Sequence, residues 1–543
     1  MSRSAAPSGN FSASAPCPPD FNLAAHVLAP ALEHPDKPAL ELVGAARPLM
    51  LDFGTLRGEV RRCAARLRAA GLSPGARLLM RMDNCIQFPI VFLGAVWAGI
   101  LPVPTSAQLT VPEITAMTEE LKPQAMVLSR GVARPEQQIG TVLSPAQATS
   151  GPAPESGALP PHPGAPERPA YVIFTSGTSG RARGVVHAHR AVWARRMMWR
   201  DWYDLRPDDR LLHAGAFNWT FTLGTGLLDP WAAGATALIP APGTDAAELG
   251  PLLARHRASL FAAAPGVFRR MLRAGLPPLP RLRHALSAGE KLPETIARRW
   301  REATQTDIHE AYGMSECSTF VSSCPRRPAP PGTVGYPQDG RRVAVLRDGR
   351  PVGPGIAGTI AVASDDPGLM LHYLDAPEEA PARSGREWFE TGDSGRFDET
   401  GALCVLGRND DMLNAGGFRV SPVEVENALS DFPGLTACAA VEVRVRPDTG
   451  LIALCYTSEH PLEEAALRAH AEARLARYKQ PRLYRRLESL PLSANGKIDR
   501  RRLRGLEWSL STPPSPAAPP LRNRGRESGK AAGKNGSRCR KEP

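Results

Sequence analysis

The chain has 543 residues, of which 42% are hydrophobic and 22% charged, a composition typical of a globular protein with several folding units. No stretch reaches the roughly 18 to 20 apolar residues of a membrane-spanning helix, and the Ser-, Ala- and Pro-rich start lacks the apolar core of a secretory signal. Half of the formal net charge of +12 lies in residues 512–543, so the rest of the chain is too mildly basic to indicate nucleic-acid binding.

The N-terminal half shows an alternation of strand and helix patterns. We expect a disordered N-terminus at 1–20, folding from about Phe21, and a helix over 55–71, where apolar residues recur at helical spacing before Gly71. Apolar runs at 78–80, 89–100 and 125–128 follow, as in a layered α/β domain. Residues 143–169 are rich in Pro, Gly, Ala and Ser, which predicts a loop or a disordered insertion.

The α/β pattern resumes at Tyr171, with a helix predicted at 292–304 and short strands from 341 to 406. A composition break near 407–417 then separates two domains. The predicted fold class is α/β. It has a large N-terminal body of layered α/β subdomains plus a β-rich part (21–409) and a small mobile α+β C-terminal domain (410–508). A basic disordered tail occupies 509–543, because its eight Lys/Arg accompany almost no apolar residue.

A loop rich in glycine and hydroxyl groups carries the sharpest chemical signal. It follows the apolar strand Tyr171–Phe174, and its residues are Thr175, Ser176, Gly177, Thr178, Ser179 and Gly180. Glycines allow backbone N–H groups to surround an anion, hydroxyls add donors, and Arg181 and Arg183 add positive charge. The sequence therefore predicts a phosphate-binding loop, although the Walker A spacing is absent.

This loop resembles the signature of the adenylate-forming superfamily, which includes acyl-CoA synthetases, luciferases and peptide-synthetase adenylation domains. The chain has Ala182 and Arg183 where that family usually has proline and lysine. Further segments resemble family motifs in family order: SAGEKLP (287–293), EAYGMSE (310–316), FETGDSGRFDETG (389–401), GRNDDMLNAGGFRVSPVEVE (407–426) and PLSANGKIDRRRL (491–503).

The resemblance implies a role for each matching residue. It implies that Lys497, Ser315 and Glu316 are catalytic, with Mg²⁺ held by Glu316, a carboxylate of the kind that binds this cation together with phosphate oxygens. It places ATP or AMP at the 175–180 loop and at Arg183, Gly289, Glu290, Lys291, Tyr312, Gly313, Asp393 and Arg408. It makes Asp410 the hinge and puts coenzyme A beside Gly416, Gly417 and Arg419.

The activity implied is that of an AMP-forming acid–CoA ligase, which uses ATP, Mg²⁺ and coenzyme A. The chain looks most like the benzoate–CoA ligase and medium-chain acyl-CoA synthetase branches, so the acid is expected to be a medium-chain or aromatic monocarboxylate. Trp219 and Phe221 would close a short acyl pocket, whereas Gly224 would leave room for an alkyl chain. The sequence does not decide between these two possibilities, and it does not indicate an oligomeric state.

Two alternatives stay open from the sequence. A stand-alone adenylation enzyme that loads a carrier protein in trans shares the same motifs, and an inactive ligand-binding member would be consistent with the altered 182–183 pair. The nine cysteines are scattered and form no CxxC pair. This pattern favours reduced thiols in the cytoplasm over a zinc site or a disulfide framework.

Overall fold

The computed structural model describes residues 15–46, 49–137, 139–151, 159–175, 183–411, 413–415, 418–446, 449–492 and 498–508. At 410, 414–415, 418–419, 444–446 and 449–450 it describes the backbone only. The α-helices of these residues are Leu23–Val27, Phe53–Ala69, Gln87–Trp97, Val111–Leu121, Pro145–Thr149, Arg190–Ala194, Arg196–Met198, Thr220–Leu223, Asp229–Ala232, Leu249–Arg255, Pro265–Ala274, Glu294–Thr304, Pro422–Leu429, Glu464–Arg474 and Arg500–Arg504.

The largest sheet of the described residues has nine strands and forms the centre of the body. Its spatial order is Tyr336–Pro337, Ser318–Ser322, Ile308–Met314, His284–Ala288, Leu260–Ala263, Arg210–His213, Thr236–Pro240, Pro38–Val43 and Leu49–Asp52. The six strands from Ile308–Met314 to Pro38–Val43 run parallel. Parallel strands are covered on both faces, which explains their nearly continuous apolar sequences. Their carboxyl ends meet at one edge, where ligands of such sheets usually bind.

A second parallel sheet contains Leu101–Thr105, Arg77–Arg81, Ala125–Leu128 and Thr141–Leu143 in that order. The helix Phe53–Ala69 packs against the helix Gln87–Trp97, and Asp52 caps it by accepting the Thr55 N–H at 2.6 Å. The helix Gln87–Trp97 is buried on nearly every side, which accounts for its uninterrupted apolar sequence.

The remaining sheets complete the body and the C-terminal part. One contains Arg350–Pro351, Val343–Arg347, Gly358–Ala363, Trp388–Phe397 and Leu403–Arg408, and another contains His372–Tyr373, Arg183–Ala188 and Pro169–Thr175. In the C-terminal part, Leu413–Ala415 pairs with Phe418–Val420, and Leu435–Arg446, Thr449–Ser458 and Leu483–Arg486 form a third sheet. The predicted α/β class, with a large N-terminal and a smaller C-terminal domain, is confirmed.

Several predicted boundaries differ from the structure. Residues 15–20 join the fold, because the Ala15 carbonyl accepts the Trp193 Nε1–H at 2.9 Å and Asp20 Oδ1 accepts the Gly164 N–H at 2.6 Å. Within 143–169, the residues Pro145–Thr149 form a short helix capped by Ser144. The helix predicted from 292 begins at Glu294, and Pro293 precedes its first turn.

The contacts within the chain define one compact unit over residues 1–506, which includes both the N-terminal body and the C-terminal part. The boundary at residue 410 and the disorder of 509–543 stay predictions, and the tail lies outside the described residues. Among the described helices, none is long and apolar enough to cross a membrane.

Candidate active site

A cavity of about 940 Å³ opens at the carboxyl edge of the nine-stranded sheet. Its wall combines the ends of the parallel strands, the Trp388–Phe397 and Leu403–Arg408 strands, and residues of the C-terminal part. The sequence-predicted residues on this wall are Thr175, Arg183, Trp219, Gly289, Glu290, Lys291, Tyr312, Gly313, Ser315, Glu316, Asp393 and Arg408. Motifs separated by more than 200 residues in the sequence therefore share one cavity.

One part of the cavity wall holds a carboxylate, Asp393, that forms an ion pair with Arg408 and a hydrogen bond with Tyr312. Asp393 and Arg408 are directly opposite each other on neighbouring antiparallel strands, and Arg408 Nε lies 3.3 Å from Asp393 Oδ1. The Tyr312 hydroxyl donates to Asp393 Oδ2 at 2.6 Å and lies 3.1 Å from Thr391 Oγ1. Burial, together with the adjacent Asp393 carboxylate, holds the pKa of Tyr312 well above its usual value, so this hydroxyl stays protonated. The group presents a fixed carboxylate that suits a vicinal diol.

The residues Gly289, Glu290 and Lys291 follow the strand His284–Ala288 directly. Gly289 has a φ of +93°, and a Cβ atom there would lie 2.5 Å from Trp219 Cζ2, so only glycine fits this turn. Lys291 Nζ lies 3.1 Å from Glu310 Oε2, and Glu310 Oε1 accepts the Leu292 N–H at 2.9 Å. Burial raises the pKa of Glu310, while the ammonium group of Lys291 opposes that shift. Glu310 thus fixes the start of this segment.

Thr175, Arg183 and Glu316 lie at the predicted phosphate end. Residues 176–180 of the phosphate loop lie outside the described residues, whereas Thr175 ends the strand before the loop. The Arg183 guanidinium stacks on the Tyr373 ring at 3.6 Å from its centroid. The Tyr373 hydroxyl in turn donates to Glu316 Oε1 at 2.8 Å. Tyr373 therefore orients the carboxylate that was predicted to hold a metal.

The donor set at Glu316 fits a magnesium ion that is shared with phosphate oxygens. Glu316 is 9% exposed and its carboxylate lies on the cavity wall, with only Oε1 engaged by Tyr373. Among the described residues, no group of three or more His, Cys, Asp or Glu could hold a metal by itself. A single carboxylate supplemented by phosphates and water is the arrangement that Mg²⁺ prefers at nucleotide sites.

The predicted acyl end contains two aromatic side chains, of which Trp219 lines the cavity. Trp219 lines the cavity and packs against Phe221 with ring centroids 5.2 Å apart in an edge-to-face arrangement. Phe221 itself is buried, and its ring centroid lies 5.7 Å from that of Trp202. Gly224 does not line the cavity, because a Cβ there would lie 2.2 Å from Cζ of Arg195. The Arg195 guanidinium fills the space that the glycine was predicted to leave for an alkyl chain.

Arg195 is neutralised within the wall. Its Nε and Nη2 donate to Asp229 Oδ1 and Oδ2 at 2.8 and 2.6 Å, and the Tyr203 hydroxyl donates to the same carboxylate at 2.8 Å. Arg195 and Asp229 are 5% and 0% exposed. A buried bidentate pair of this kind fixes the local packing and leaves no free charge behind Trp219.

Several predicted residues of the C-terminal part are only partly described or not described. Lys497, Gly416 and Gly417 lie outside the described residues, and of Asp410 and Arg419 only the backbone is described. Ile498 and Arg500, which follow Lys497 in the sequence, line the cavity.

Four residues of this region were absent from the sequence prediction: Glu310, Thr391, Tyr373 and Arg195. Glu310 and Thr391 lie inside two of the motifs named above, so the sequence could have identified them as site residues. Tyr373 and Arg195 belong to no motif, and only their contacts reveal them.

The chain is similar to known proteins over most of its length. Residues 29–374 match the model of the family described as AMP-binding enzyme, and residues 424–497 match the AMP-binding enzyme C-terminal domain. The 3-hydroxybenzoate–CoA ligase of Aromatoleum sp. (strain CIB) is 30% identical over 90% of this chain and 97% of its own length.

A second relative, the human mitochondrial acyl-coenzyme A synthetase ACSM2A, is 28% identical over 87% of this chain and 88% of its own length. Among solved structures, a benzoate CoA ligase from Burkholderia xenovorans LB400 superposes with a TM-score of 0.79 at 26% identity. That match covers 89% of this chain and all of the other.

Proposed function

The chain belongs to the AMP-binding enzyme family and is an AMP-forming acid–CoA ligase, and we propose that its acid substrate is an aromatic monocarboxylate. The observation that carries this proposal is the flat indole of Trp219, which lines the cavity and packs beside Gly289 and Phe221. An aryl ring can pack on such a wall, whereas a long alkyl chain would have to displace it.

Two further points support an aromatic monocarboxylate. One relative is named a 3-hydroxybenzoate–CoA ligase, and one similar structure is named a benzoate CoA ligase. In the described part of the acyl end, the cation Arg195 is already paired with Asp229, so no free charge would recognise a second carboxylate on the substrate.

In the first half-reaction, a carboxylate oxygen of the acid attacks the α-phosphorus of ATP and pyrophosphate leaves. We assign the adenine to the segment 289–291 and Tyr312, and the ribose hydroxyls to Asp393 and Arg408. Asp393 is held by Tyr312 and Arg408 before substrate arrives, which lowers the entropic cost of alignment.

The phosphates are assigned to Thr175, the 176–180 loop and Arg183, with Ser315 at the α-phosphate. When bound at Glu316, Mg²⁺ would neutralise charge on the phosphate oxygens. Glu316 lines the cavity, and the hydrogen bond from Tyr373 would hold its carboxylate in place. Lys497 is proposed to bridge the substrate carboxylate and the α-phosphate, a role that rests on its motif.

In the second half-reaction, the thiol sulfur of coenzyme A attacks the acyl carbonyl carbon and AMP leaves. We propose that the C-terminal domain rotates about Asp410 between the two steps and then presents Gly416, Gly417 and Arg419 to the thiol. Large closures about a few residues are a common way to complete a second site.

We propose that the enzyme works in the cytoplasm as a small-molecule ligase. None of the eight described cysteines forms a disulfide, which agrees with a reducing compartment.

The test is a panel of acids (benzoate, its hydroxy and amino derivatives, and linear acids from acetate to dodecanoate) assayed for AMP release with and without coenzyme A. We expect an aryl acid to give the highest kcat/KM and AMP release to require coenzyme A. Preference for octanoate over every aryl acid would contradict the proposal. Acid-dependent ATP–pyrophosphate exchange without thioester formation would indicate a carrier-loading enzyme, and no exchange would indicate an inactive member.

A further inference from the structure

Two neighbouring helices turn a set of arginines toward the cavity. Arg269 and Arg273 lie one turn apart on the helix Pro265–Ala274, and Arg298 and Arg299 lie on Glu294–Thr304. All four line the cavity, and we call them the arginine face. Residues three or four positions apart share one side of a helix, which explains the pairing of Arg269 with Arg273.

The packing between the helices fixes this face. The side chain of Phe268, next to Arg269, meets that of Trp300, next to Arg299, edge to face with centroids 4.9 Å apart. Phe268 and Trp300 are fully buried. The arginines are therefore carried by a rigid pair of helices and not by a loop.

The arginine face is only partly neutralised by the protein. Within the described residues, Arg269, Arg273 and Arg299 form no ion pair, and Arg298 reaches only Glu302, at 3.9 Å on the exposed surface. The Glu290 carboxylate, which also lines the cavity, acts on Arg269 from a longer distance. Arg269 is also partly buried, and this desolvation lowers its pKa. The charge of Arg273 lowers the pKa of Arg269 further, so a bound anion would stabilise these two guanidinium groups.

The facing wall does not supply the missing negative charge. Of its carboxylates, Glu426 accepts from Arg500 Nη2 at 2.6 Å, and Asp431 lies 3.3 Å from Arg474 Nη2. Glu459 also lines the cavity and is exposed. Of these three carboxylates, only Glu459 forms no ion pair within the described residues, whereas the arginine face carries four guanidinium groups.

Neither the nucleotide nor the acid accounts for this charge. The ribose group is at Asp393 and Arg408, and the triphosphate end is assigned to Thr175 and Glu316. The remaining co-substrate, coenzyme A, carries a diphosphate and a 3′-phosphate. Planar guanidinium groups bind phosphates through paired hydrogen bonds.

We propose that the arginine face binds the phosphates of the nucleotide end of coenzyme A. The proposal rests on the acid–CoA ligase function described above. It adds a charged subsite on the N-terminal body to the thiol-side residues of the C-terminal domain. Arg273 and Arg299 are exposed and accessible to an entering phosphate. Arg269 is less exposed and also lines the cavity.

The test uses the full-length variants Arg273→Gln, Arg299→Gln and the double variant. Arg270→Gln is the matched control, because Arg270 is exposed on the same helix but does not line the cavity. We expect the KM for coenzyme A to rise about tenfold in each single variant, as for loss of a charge-assisted hydrogen bond, and further in the double variant. The KM for ATP and the acid-dependent ATP–pyrophosphate exchange should equal those of the Arg270→Gln control.

Dephospho-coenzyme A identifies the group that is bound. If the 3′-phosphate is recognised, this analogue should have a raised KM with the wild-type enzyme and a smaller penalty with the double variant. If the KM for the analogue exceeds that for coenzyme A by the same factor in both enzymes, the arginine face binds the diphosphate alone. This conclusion requires that the KM for coenzyme A itself is raised in the double variant.

The proposal is overturned if both single variants match Arg270→Gln in their KM for coenzyme A. It is also overturned if the loss appears in pyrophosphate exchange, which would assign the face to the leaving pyrophosphate. A wild-type enzyme without exchange or without thioester product would instead refute the ligase function itself.

Discussion

Replacing Trp219 by alanine should convert a closed acyl end into an open one. Trp219 contacts Phe221 and lies so close to Gly289 that a Cβ there would meet its ring at 2.5 Å. In the wild-type enzyme, each methylene added beyond the reach of this ring should therefore bring no gain in kcat/KM. In Trp219→Ala, each added methylene that enters the opened space should contribute up to about 0.8 kcal/mol, which is roughly fourfold in kcat/KM.

The same substitution should weaken aryl acids. Loss of the ring contact should cost about 1 kcal/mol, roughly fivefold in kcat/KM for benzoate. The assay is coenzyme A-dependent AMP release with linear acids of four to ten carbons and with benzoate. Trp219→Phe is the control, because its ring keeps the end wall and should preserve the wild-type order of substrates. An unchanged chain-length profile in Trp219→Ala would refute the assignment of Trp219 to the acyl end.

The remaining predictions concern catalysis and pH. Lys497→Ala should reduce acid-dependent ATP–pyrophosphate exchange by at least about 100-fold, as expected for loss of transition-state charge stabilisation. Thioester formation from supplied acyl-adenylate should survive in this variant. An equal loss of both activities would contradict the proposed role of Lys497. Burial and the nearby charge of Arg195 lower the pKa of His213 from 6.5 to about 3. The folded protein therefore keeps the stability contributed by neutral His213 above pH 6.5 and loses it as the pH falls toward 3. At pH 5 this loss is about 2 kcal/mol, and His213→Asn should remove it in urea unfolding curves measured at pH 7.5 and 5; an unchanged difference between the two pH values would contradict it.

Sequence motifs predicted which residues would meet in the cavity but not how they contact one another. Asp393 and Arg408 belong to two motifs, and their strand register places them opposite each other. Tyr312 comes from another sheet and still donates to Asp393. Such convergence is predictable when each motif is already known to face the same nucleotide.

The acyl end shows why the rest was not predictable. Gly224 was expected to leave space, yet the guanidinium of Arg195 occupies it. That placement depends on a buried pair with Asp229, 34 residues away, and on Tyr203. No periodicity or spacing marks a contact that is set by tertiary packing, so a glycine in the sequence does not predict a cavity. The arginine face belongs to none of the motifs, and only the packing of its two helices brings its residues together.

Arg183 stands where the family motif usually has lysine, and its contacts give this difference a physical explanation. A lysine at this position would offer one compact ammonium group, whereas the planar guanidinium of Arg183 stacks on Tyr373 and reaches two carboxylates. Its Nη2 lies 3.1 Å from Glu379 Oε2 and 3.4 Å from Asp375 Oδ1. Because Tyr373 also donates to Glu316, the substitution connects the strand that follows the phosphate loop to the carboxylate proposed for Mg²⁺. We therefore expect arginine here to act on the proposed phosphate end through Tyr373.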